Sequence, residues 1–197
     1  MAVYTQLQSD DIQSLLATYS NEVLMNFEGI TAGVENTNYM LTTDTRKLIL
    51  TVYEKRVRKE DLPFYLSLME HLHQHNIPCP TALRNHNNDF LSTIEQKSCA
   101  LISFLSGKSV RHIKNIHCAE LGKHMAHMHL ASKNFDQSLH NSFSIDSWLD
   151  LFNQVKNNAD ELKPGLKNEI EGYLNKLTNH WPTNLPTGII HGDLFPD

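Results

Sequence analysis

Residues 188–196 read Gly188-Ile189-Ile190-His191-Gly192-Asp193-Leu194-Phe195-Pro196, so an apolar run leads directly into a His-Gly-Asp triplet. The apolar run predicts a short strand over residues 188–190. A strand that delivers an aspartate into a loop suits a general base that must reach a hydroxyl group, and the adjacent glycine gives the backbone room to turn. The alternative is a surface aspartate in an ordinary turn at the end of a strand. On the first interpretation, Asp193 is a candidate catalytic base.

The composition is that of an ordinary globular protein without a basic surface. Hydrophobic residues make up 40% of the 197 positions and charged residues 20%, which allows a sizeable buried core. The net charge is -5, the pI is near 6.2, and the Lys and Arg residues are scattered along the chain. Domains that bind nucleic acid concentrate positive charge on one face. The sequence therefore predicts no nucleic-acid partner.

The cysteines and the N-terminus favour a reducing, cytoplasmic location. Cys79, Cys99 and Cys118 are odd in number and lack C-x-x-C spacing, which argues against a disulfide framework and against a thiolate zinc site. The N-terminus has no basic segment leading into an apolar one, and no window approaches the ~18 apolar residues that span a bilayer. We therefore expect no targeting segment and no membrane partner.

The first half of the chain alternates short apolar runs with turn residues. Ser9-Asp10-Asp11 precedes apolar residues at helical spacing and predicts a short helix with Ser9 as its N-cap. A second helix is predicted from Glu60 to about His75, because the prolines of Ile77-Pro78-Cys79-Pro80 prevent its continuation. Turn residues, among them Gln96-Lys97-Ser98, separate the strand-like runs. Five strands are predicted, at residues 23–27, 38–42, 47–53, 90–94 and 99–105.

Beyond Gly107 the pattern becomes helical. Helices are predicted at about residues 116–131, 145–157 and 166–177, and residues 156–163 are predicted to be a solvated connection. The fold class is therefore α+β. We expect a lobe at residues 1–106, with a five-stranded antiparallel sheet and one inserted helix, and a mainly helical, incomplete lobe at residues 107–197.

The loop at residues 29–38 lies between two predicted strands. It contains Gly29 and Gly33, together with small and amide residues such as Ala32, Asn36 and Asn38. Glycine permits positive φ, which leaves backbone N–H groups free to surround phosphate oxygens, and Asn36 and Asn38 add amide donors. The loop is not of the G-x-x-x-x-G-K-[ST] form. An ordinary glycine-containing hairpin remains the alternative to a phosphate-binding one.

The 12 histidines raise the question of a metal site. On a helix, His71 can share a face with His75, and His124 with His127. Neither pair is part of an H-E-x-x-H signature, and neither has a flanking carboxylate. We therefore expect structural or adventitious histidines and no metal ligands.

Taken together, five segments resemble the homoserine kinase branch of the aminoglycoside phosphotransferase and choline kinase-like superfamily, which has a protein-kinase-like bilobal fold. The similarity runs from end to end. The segments correspond to a nucleotide loop, a first-lobe helix, an inter-lobe hinge, a second-lobe helix and a catalytic loop: Gly33-Val34-Glu35-Asn36-Thr37-Asn38-Tyr39, residues 62–80, Ser103-Phe104-Leu105-Ser106-Gly107, residues 121–131 and residues 190–197.

The resemblance implies ATP-dependent phosphorylation of the L-homoserine side-chain hydroxyl, which serves threonine biosynthesis. Asp193 would be the catalytic base and His191 a residue that supports its loop. Gly33, Asn36 and Asn38 would bind the nucleotide phosphates, and backbone groups from Ser103 to Leu105 would receive the adenine.

The sequence departs from the kinase pattern at the usual Lys–Glu ion pair. In protein kinases a lysine on the third strand pairs with a helix glutamate to position the phosphates. Here Thr51 falls near the lysine position and Tyr65 near the glutamate position. Lys47, Lys55 or Arg56 could substitute, but solvated strand-end charges are an equally good interpretation of these residues.

The superfamily pattern also continues past Asp193 to an asparagine five positions on and then to an aspartate that binds Mg²⁺. Since the sequence stops at Asp197, we expect the magnesium ligands to lie beyond it, and we expect this chain to be a truncated, inactive form. Two alternatives remain open: a kinase for another small alcohol, such as choline, an aminoglycoside or a sugar, and a noncatalytic nucleotide-binding fragment.

Overall fold

The computed structural model describes residues 3–33, 35–54, 58–108, 110 and 112–195. The chain divides into two compact units. The first unit comprises Met1–Gln137 together with Gly188–Asp197, and the second comprises Ser138–Thr187.

A five-stranded antiparallel sheet forms the centre of the first unit, with strand order β1-β2-β3-β5-β4. The predicted α+β class and the five predicted strands are confirmed. The strands are β1 (Leu24–Ile30), β2 (Thr37–Thr43), β3 (Lys47–Val52), β4 (Ser92–Ile94) and β5 (Lys97–Ser103).

The turn between β4 and β5 differs from its prediction. Glu95 and Gln96 both have positive φ, at 48° and 62°, and they form the connection by themselves. Lys97 and Ser98, predicted as turn residues, belong to β5. A two-residue connection with positive φ matches the right-handed twist of the flanking strands, so the hairpin closes more tightly than the polar composition suggested.

One face of the sheet is covered by helix α1 (Ser9–Leu16). Along β2, every second side chain is buried, as the two-residue period of a strand requires. Gln8 is the N-cap of α1, and its N–H donates to Asp11 Oδ2 at 2.9 Å, so the predicted cap at Ser9 is wrong by one residue. The core on this face includes Ile12, Leu16, Tyr39, Leu41, Leu48, Leu50, Val52, Cys99 and Leu101.

The opposite face of the sheet packs against helix α2 (Leu62–Gln74), which a 3₁₀ turn at Lys59–Asp61 precedes. Pro63 lies in the first turn of α2, where a missing N–H is tolerated. Leu66 from α2 and Ala100 from β5 anchor this second apolar cluster. The predicted first-lobe helix is therefore present and lies on the sheet.

Helix α3 (Asn115–Ser132) follows and contacts α2. His71 Nε2 lies 3.0 Å from the carbonyl oxygen of Ala131, in the last turn of α3. The rings of His71 and Phe64 both pack against Phe135, just beyond that helix. These contacts hold the C-terminal end of α3.

The second unit contains helices α4 (Ile145–Val155), α5 (Ala159–Leu162) and α6 (Leu166–His180). Phe152, Ala159 and Leu174 form its small buried centre, and Trp148 and Trp181 meet edge to face at 5.4 Å. The connection predicted at residues 156–163 thus contains a short helix, because burial of Ala159 orders it.

Residues 188–190 do not form the predicted strand. A strand requires a partner for its backbone N–H and C=O groups, and no described strand pairs with this segment. Ile190 is 65% exposed. In the described part of the chain, no helix combines the length and the hydropathy needed to cross a bilayer.

Candidate active site

The hairpin loop between β1 and β2 is open and exposed. Gly33 lies in it with a φ of +92°, and an added Cβ atom would meet nothing within 4 Å. Packing therefore does not require glycine here, whereas the backbone conformation does, because L side chains rarely adopt it. Val34, which the sequence places in this loop, lies outside the described residues.

Asn36 and Asn38 join the loop to the sheet through their side-chain carbonyl oxygens. Asn36 Oδ1 accepts a hydrogen bond from the Glu54 N–H at 3.3 Å, and Asn38 Oδ1 accepts one from Thr51 Oγ1 at 2.8 Å. Both residues are half-buried. In this arrangement the side-chain NH₂ groups are the donors that a phosphate oxygen could use.

A partly buried ion pair adjoins this loop and was missed by sequence reasoning. Lys97 Nζ contacts Glu54 Oε2 at 2.5 Å and donates to Thr5 Oγ1 at 2.7 Å. Thr5 Oγ1 and Thr37 Oγ1 donate to Glu54 Oε1 at 2.6 and 2.8 Å. Burial raises the pKa of Glu54, and the bonds from Lys97, Thr5 and Thr37 lower it by more, so the net pKa lies below the usual value.

No local pattern could have revealed this cluster, since Thr5 and Lys97 are 92 positions apart. Glu54 follows the end of β3, and both neighbouring strands, β2 and β5, begin at that end of the sheet. Val52 pairs with Thr37 on one side and with Cys99 on the other, which brings Glu54 close to Thr37 and Lys97. Only the strand order supplies this information.

The predicted hinge lies at the end of β5. Ser103 Oγ accepts a hydrogen bond from the Thr81 N–H at 2.9 Å, and the Ser103 N–H donates to the Thr81 carbonyl at 2.8 Å. Phe104 and Leu105 continue past the strand with exposures of 38% and 49%. An open cleft of about 850 Å³ lies elsewhere, between α1 and β4. A cleft of about 450 Å³ at the hinge is lined by Arg46, Lys47, Leu48, Ser103, Phe104 and Ser106.

Thr51 and Tyr65, which the sequence placed near the kinase lysine and glutamate positions, are both uncharged and bind different partners. Thr51 is 8% exposed and bonds to Asn38, while Tyr65 is 46% exposed and packs edge to face on Phe64. Lys47 lies at the other end of β3, with its Nζ 5.7 Å from the centroid of the Phe104 ring. Lys55 and Arg56, the other two candidate substitutes, lie outside the described residues.

The His-Gly-Asp segment is irregular and exposed. Gly192 has a φ of +78°, and the Asp193 N–H donates to His191 Nδ1 at 3.3 Å. His191 therefore contacts the loop that carries the aspartate. Among the described residues, no hydrogen bond or ion pair joins the Asp193 carboxylate to the hairpin loop or to the hinge.

The described residues contain no cluster of potential metal ligands. Across residues 3–33, 35–54, 58–108, 110 and 112–195, no three His, Cys, Asp or Glu side chains lie close enough together to hold a metal ion. The rings of His71 and His75 are tilted against each other at 4.2 Å, and His75 Nδ1 lies 2.8 Å from the His71 carbonyl oxygen. These two histidines therefore contact each other and the helix backbone.

The five-stranded sheet, the inserted helix and the glycine-containing hairpin are those predicted for the first lobe of a kinase-like fold. The chain belongs to the phosphotransferase enzyme family, whose pattern matches residues 26–197.

Homoserine kinases are among the curated relatives that align with this chain over its whole length. Those of Parvibaculum lavamentivorans, Rhizobium rhizogenes and Paramagnetospirillum magneticum are 44%, 45% and 46% identical over 197 residues, which is 100% of this chain. The same alignments cover 61%, 61% and 60% of the relatives, so the chain spans about three fifths of their length.

Solved structures confirm the fold at much lower identity. A spectinomycin phosphotransferase in complex with ADP and spectinomycin has a TM-score of 0.61 at 10% identity, over 91% of this chain and 60% of that one. A microcompartment-associated aminopropanol kinase has a TM-score of 0.55 at 14% identity, over 79% and 56%. The predicted protein-kinase-like class of fold is therefore correct.

Proposed function

We propose that the protein transfers the γ-phosphoryl group of ATP to the side-chain hydroxyl of L-homoserine and forms O-phospho-L-homoserine. The observation that carries the proposal is 44–46% identity with homoserine kinases along every part of this chain. The reaction serves threonine biosynthesis, and we assign the protein to the cytoplasm.

The lobe at residues 1–106 binds the nucleotide, with its boundary near Gly107. The open backbone at Gly33 supports a role in contacting phosphate oxygens, because N–H groups in such a turn form an anion-binding concavity. Asn36 and Asn38 contribute their NH₂ groups. At the hinge, backbone groups from Ser103 to Leu105 receive the adenine, and the exposure of Phe104 and Leu105 and the adjoining cleft support this assignment.

Asp193 acts as the general base in the lobe at residues 107–197. Its carboxylate orients the homoserine hydroxyl and accepts its proton as the oxygen attacks the γ-phosphorus. The bond to the bridging oxygen breaks, and ADP leaves with the electron pair. His191 holds the aspartate by accepting the Asp193 N–H, and Gly192 permits the positive φ between them.

Phosphoryl transfer of this class uses Mg²⁺ to neutralise charge on the β- and γ-phosphates. The described residues do not provide a ligand set for it. Every step assigned to this chain is therefore one of nucleotide binding, hydroxyl orientation or proton transfer.

An acceptor panel tests the proposal. The chain alone, and the chain joined to the part of a homoserine kinase relative that the alignment leaves uncovered, are each incubated with ATP, Mg²⁺ and, separately, homoserine, choline, aminopropanol, an aminoglycoside and a sugar, and phosphorylated products are measured by ³¹P NMR. We expect O-phospho-L-homoserine to be the main product of the joined protein and no turnover by the chain alone. Transfer to another alcohol in preference to homoserine would change the acceptor, and ATP binding without any transfer by either protein would support a noncatalytic nucleotide-binding chain.

A further inference from the structure

The Glu54 cluster, which consists of Glu54, Lys97, Thr5 and Thr37, is attached to the end of the nucleotide hairpin. Two consecutive residues after the exposed part of the loop are bound by Glu54. The Glu54 N–H donates to Asn36 Oδ1 at 3.3 Å, and its carboxylate accepts from Thr37 Oγ1 at 2.8 Å. One residue therefore fixes the point at which the loop enters β2.

The other side of the Glu54 carboxylate is held by distant parts of the chain. Lys97, at the start of β5, and Thr5, in the N-terminal segment, both bind it. The same N-terminal segment reaches Thr37 directly, because the Tyr4 and Thr5 N–H groups donate to Thr37 Oγ1 at 2.9 and 3.1 Å. The loop entrance is thus tied to two further segments of the unit.

The partial burial of the cluster indicates a positional role. The Glu54 side chain is 11% exposed, Thr37 is fully buried and Lys97 is 36% exposed. Removing a charged pair from water largely offsets its Coulomb attraction, so a buried pair is weak evidence for added stability. What such a pair supplies is a fixed geometry, because a charge-assisted network with several donors allows few arrangements.

The loop itself needs such a fixed point. Gly33 is exposed at positive φ with open space around it, and glycine readily samples other conformations. Binding of a triphosphate by backbone N–H groups is favoured when they are already oriented, because ordering them on binding lowers the affinity. Anchoring at Asn36 and Thr37 restricts one end of the loop.

We propose that Glu54 is a positioning residue. Through its hydrogen bonds with Asn36 and Thr37, it holds the β1–β2 loop in a conformation that can bind the phosphates of a nucleoside triphosphate. The inference rests on the proposed function for the identity of the ligand. In this role Glu54 acts through its neighbours and does not itself touch the nucleotide.

The opposite end of β2 supplies a matched control. Glu22 is 12% exposed, pairs with Arg46 at 2.7 Å and accepts a hydrogen bond from Thr43 Oγ1 at 3.0 Å. A half-buried glutamate, a cation that is more than a third exposed and a buried β2 threonine thus occur at both ends of this strand. Only the Glu54 end adjoins the nucleotide hairpin.

The test compares Glu54→Gln with Glu22→Gln in the complete chain, with thermal denaturation recorded for both. ATP affinity is measured by calorimetry, and hydrogen exchange is measured at the amides of Gly33, Glu35 and Asn36 without nucleotide. We expect Glu54→Gln to weaken ATP binding about tenfold, equivalent to ~1.4 kcal/mol. Exchange at the three amides should rise by a similar factor, whereas Glu22→Gln should change exchange there by less than about twofold. Loop exchange is the control reading, because Arg46, the partner of Glu22, lines the hinge cleft assigned to the adenine.

A second pair of variants covers the case in which Glu54→Gln does not fold. Thr37→Val keeps the shape of the side chain but loses the hydroxyl, and Thr37→Ser restores it. We expect Thr37→Val to reproduce the Glu54→Gln effects and Thr37→Ser to recover most of the affinity. Equal effects of Thr37→Val and the control Thr43→Val would overturn the positioning role.

The two readouts separate the inference from the proposed function. Faster loop exchange in Glu54→Gln alone, in a chain that binds no ATP, would uphold the positioning role and refute the nucleotide assignment. Unchanged exchange and unchanged ATP affinity in Glu54→Gln would refute the positioning role and leave the nucleotide assignment intact. Unchanged exchange in a chain that binds no ATP would refute both.

Discussion

The five-stranded sheet and the His-Gly-Asp segment are held in very different ways. Leu41, Leu48, Leu50 and Leu101 are each at most 1% exposed in a continuous core, and both faces of the sheet carry a helix. Across residues 188–195, only Ile189 is even half-buried. The sheet that carries the proposed nucleotide site is thus held by its buried core. The proposed base, Asp193, is held by a hydrogen bond to His191 within its own segment.

This contrast predicts which residues carry stability and which carry chemistry. A change in the sheet should lower the free energy of unfolding, while a change in the exposed segment should leave it almost unaltered. Among residues that do not contact the nucleotide, changes in the exposed segment should lower activity more than changes in the sheet.

Truncating a core leucine should give the largest stability effect. Leu50→Ala removes a fully buried side chain, and we expect it to lower the free energy of unfolding by about 2–5 kcal/mol. Ile190→Ala is the matched change in the exposed segment and should cost less than about 0.5 kcal/mol. Urea unfolding followed by circular dichroism measures both, and a loss of 2 kcal/mol or more for Ile190→Ala would break the comparison.

Acid titration should give a smaller effect that again belongs to the sheet. The pKa of Glu54 lies below its ordinary value, because the hydrogen bonds from Lys97, Thr5 and Thr37 outweigh the effect of burial, which raises it. A carboxyl group of this kind stabilises the folded state above its unfolded pKa of about 4.3, and this contribution is lost as the pH falls through the folded pKa.

Unfolding in urea at a series of pH values between 6 and 3 measures this contribution. The wild type should lose more unfolding free energy over the range than Glu54→Gln, in which position 54 does not titrate. Parallel curves for the two proteins would show that the Glu54 cluster does not favour the charged carboxylate.

The sheet was predictable because local pattern and tertiary structure agree. Residues 38–42 and 47–53 alternate or run apolar as half-buried and buried strands do, and they pair as β2 and β3. Helix α2 ends at Gln74, close to the predicted His75, but Asn76 ends it by taking a positive φ of 59° before the first proline is reached. The strand at residues 188–190 failed because an apolar run becomes a strand only beside a partner.

The site was predictable only where a single segment carries the signal. The positive φ of Gly33 and Gly192 lies at glycines that sequence reasoning had marked as turning points. The Glu54 cluster joins residues from the N-terminal segment, β2 and β5, so its chemistry appears only after the strand order is known. Asn36 and Asn38 were selected for their donors, and the structure adds that their carbonyl oxygens bind the sheet.

The most direct test of the central claim is the rate of O-phospho-L-homoserine formation from ATP and homoserine by the chain joined to the part of a homoserine kinase relative that the alignment leaves uncovered. The rate of this protein, as wild type, is compared with those of Asp193→Asn and of the control Asp136→Asn, which alters another exposed loop aspartate. We predict that Asp193→Asn lowers the rate by a factor of about 10²–10⁴ with unchanged ATP affinity and thermal stability, because it removes only the general base. The control should retain its rate. Equal rates for Asp193→Asn and the wild type would contradict the account.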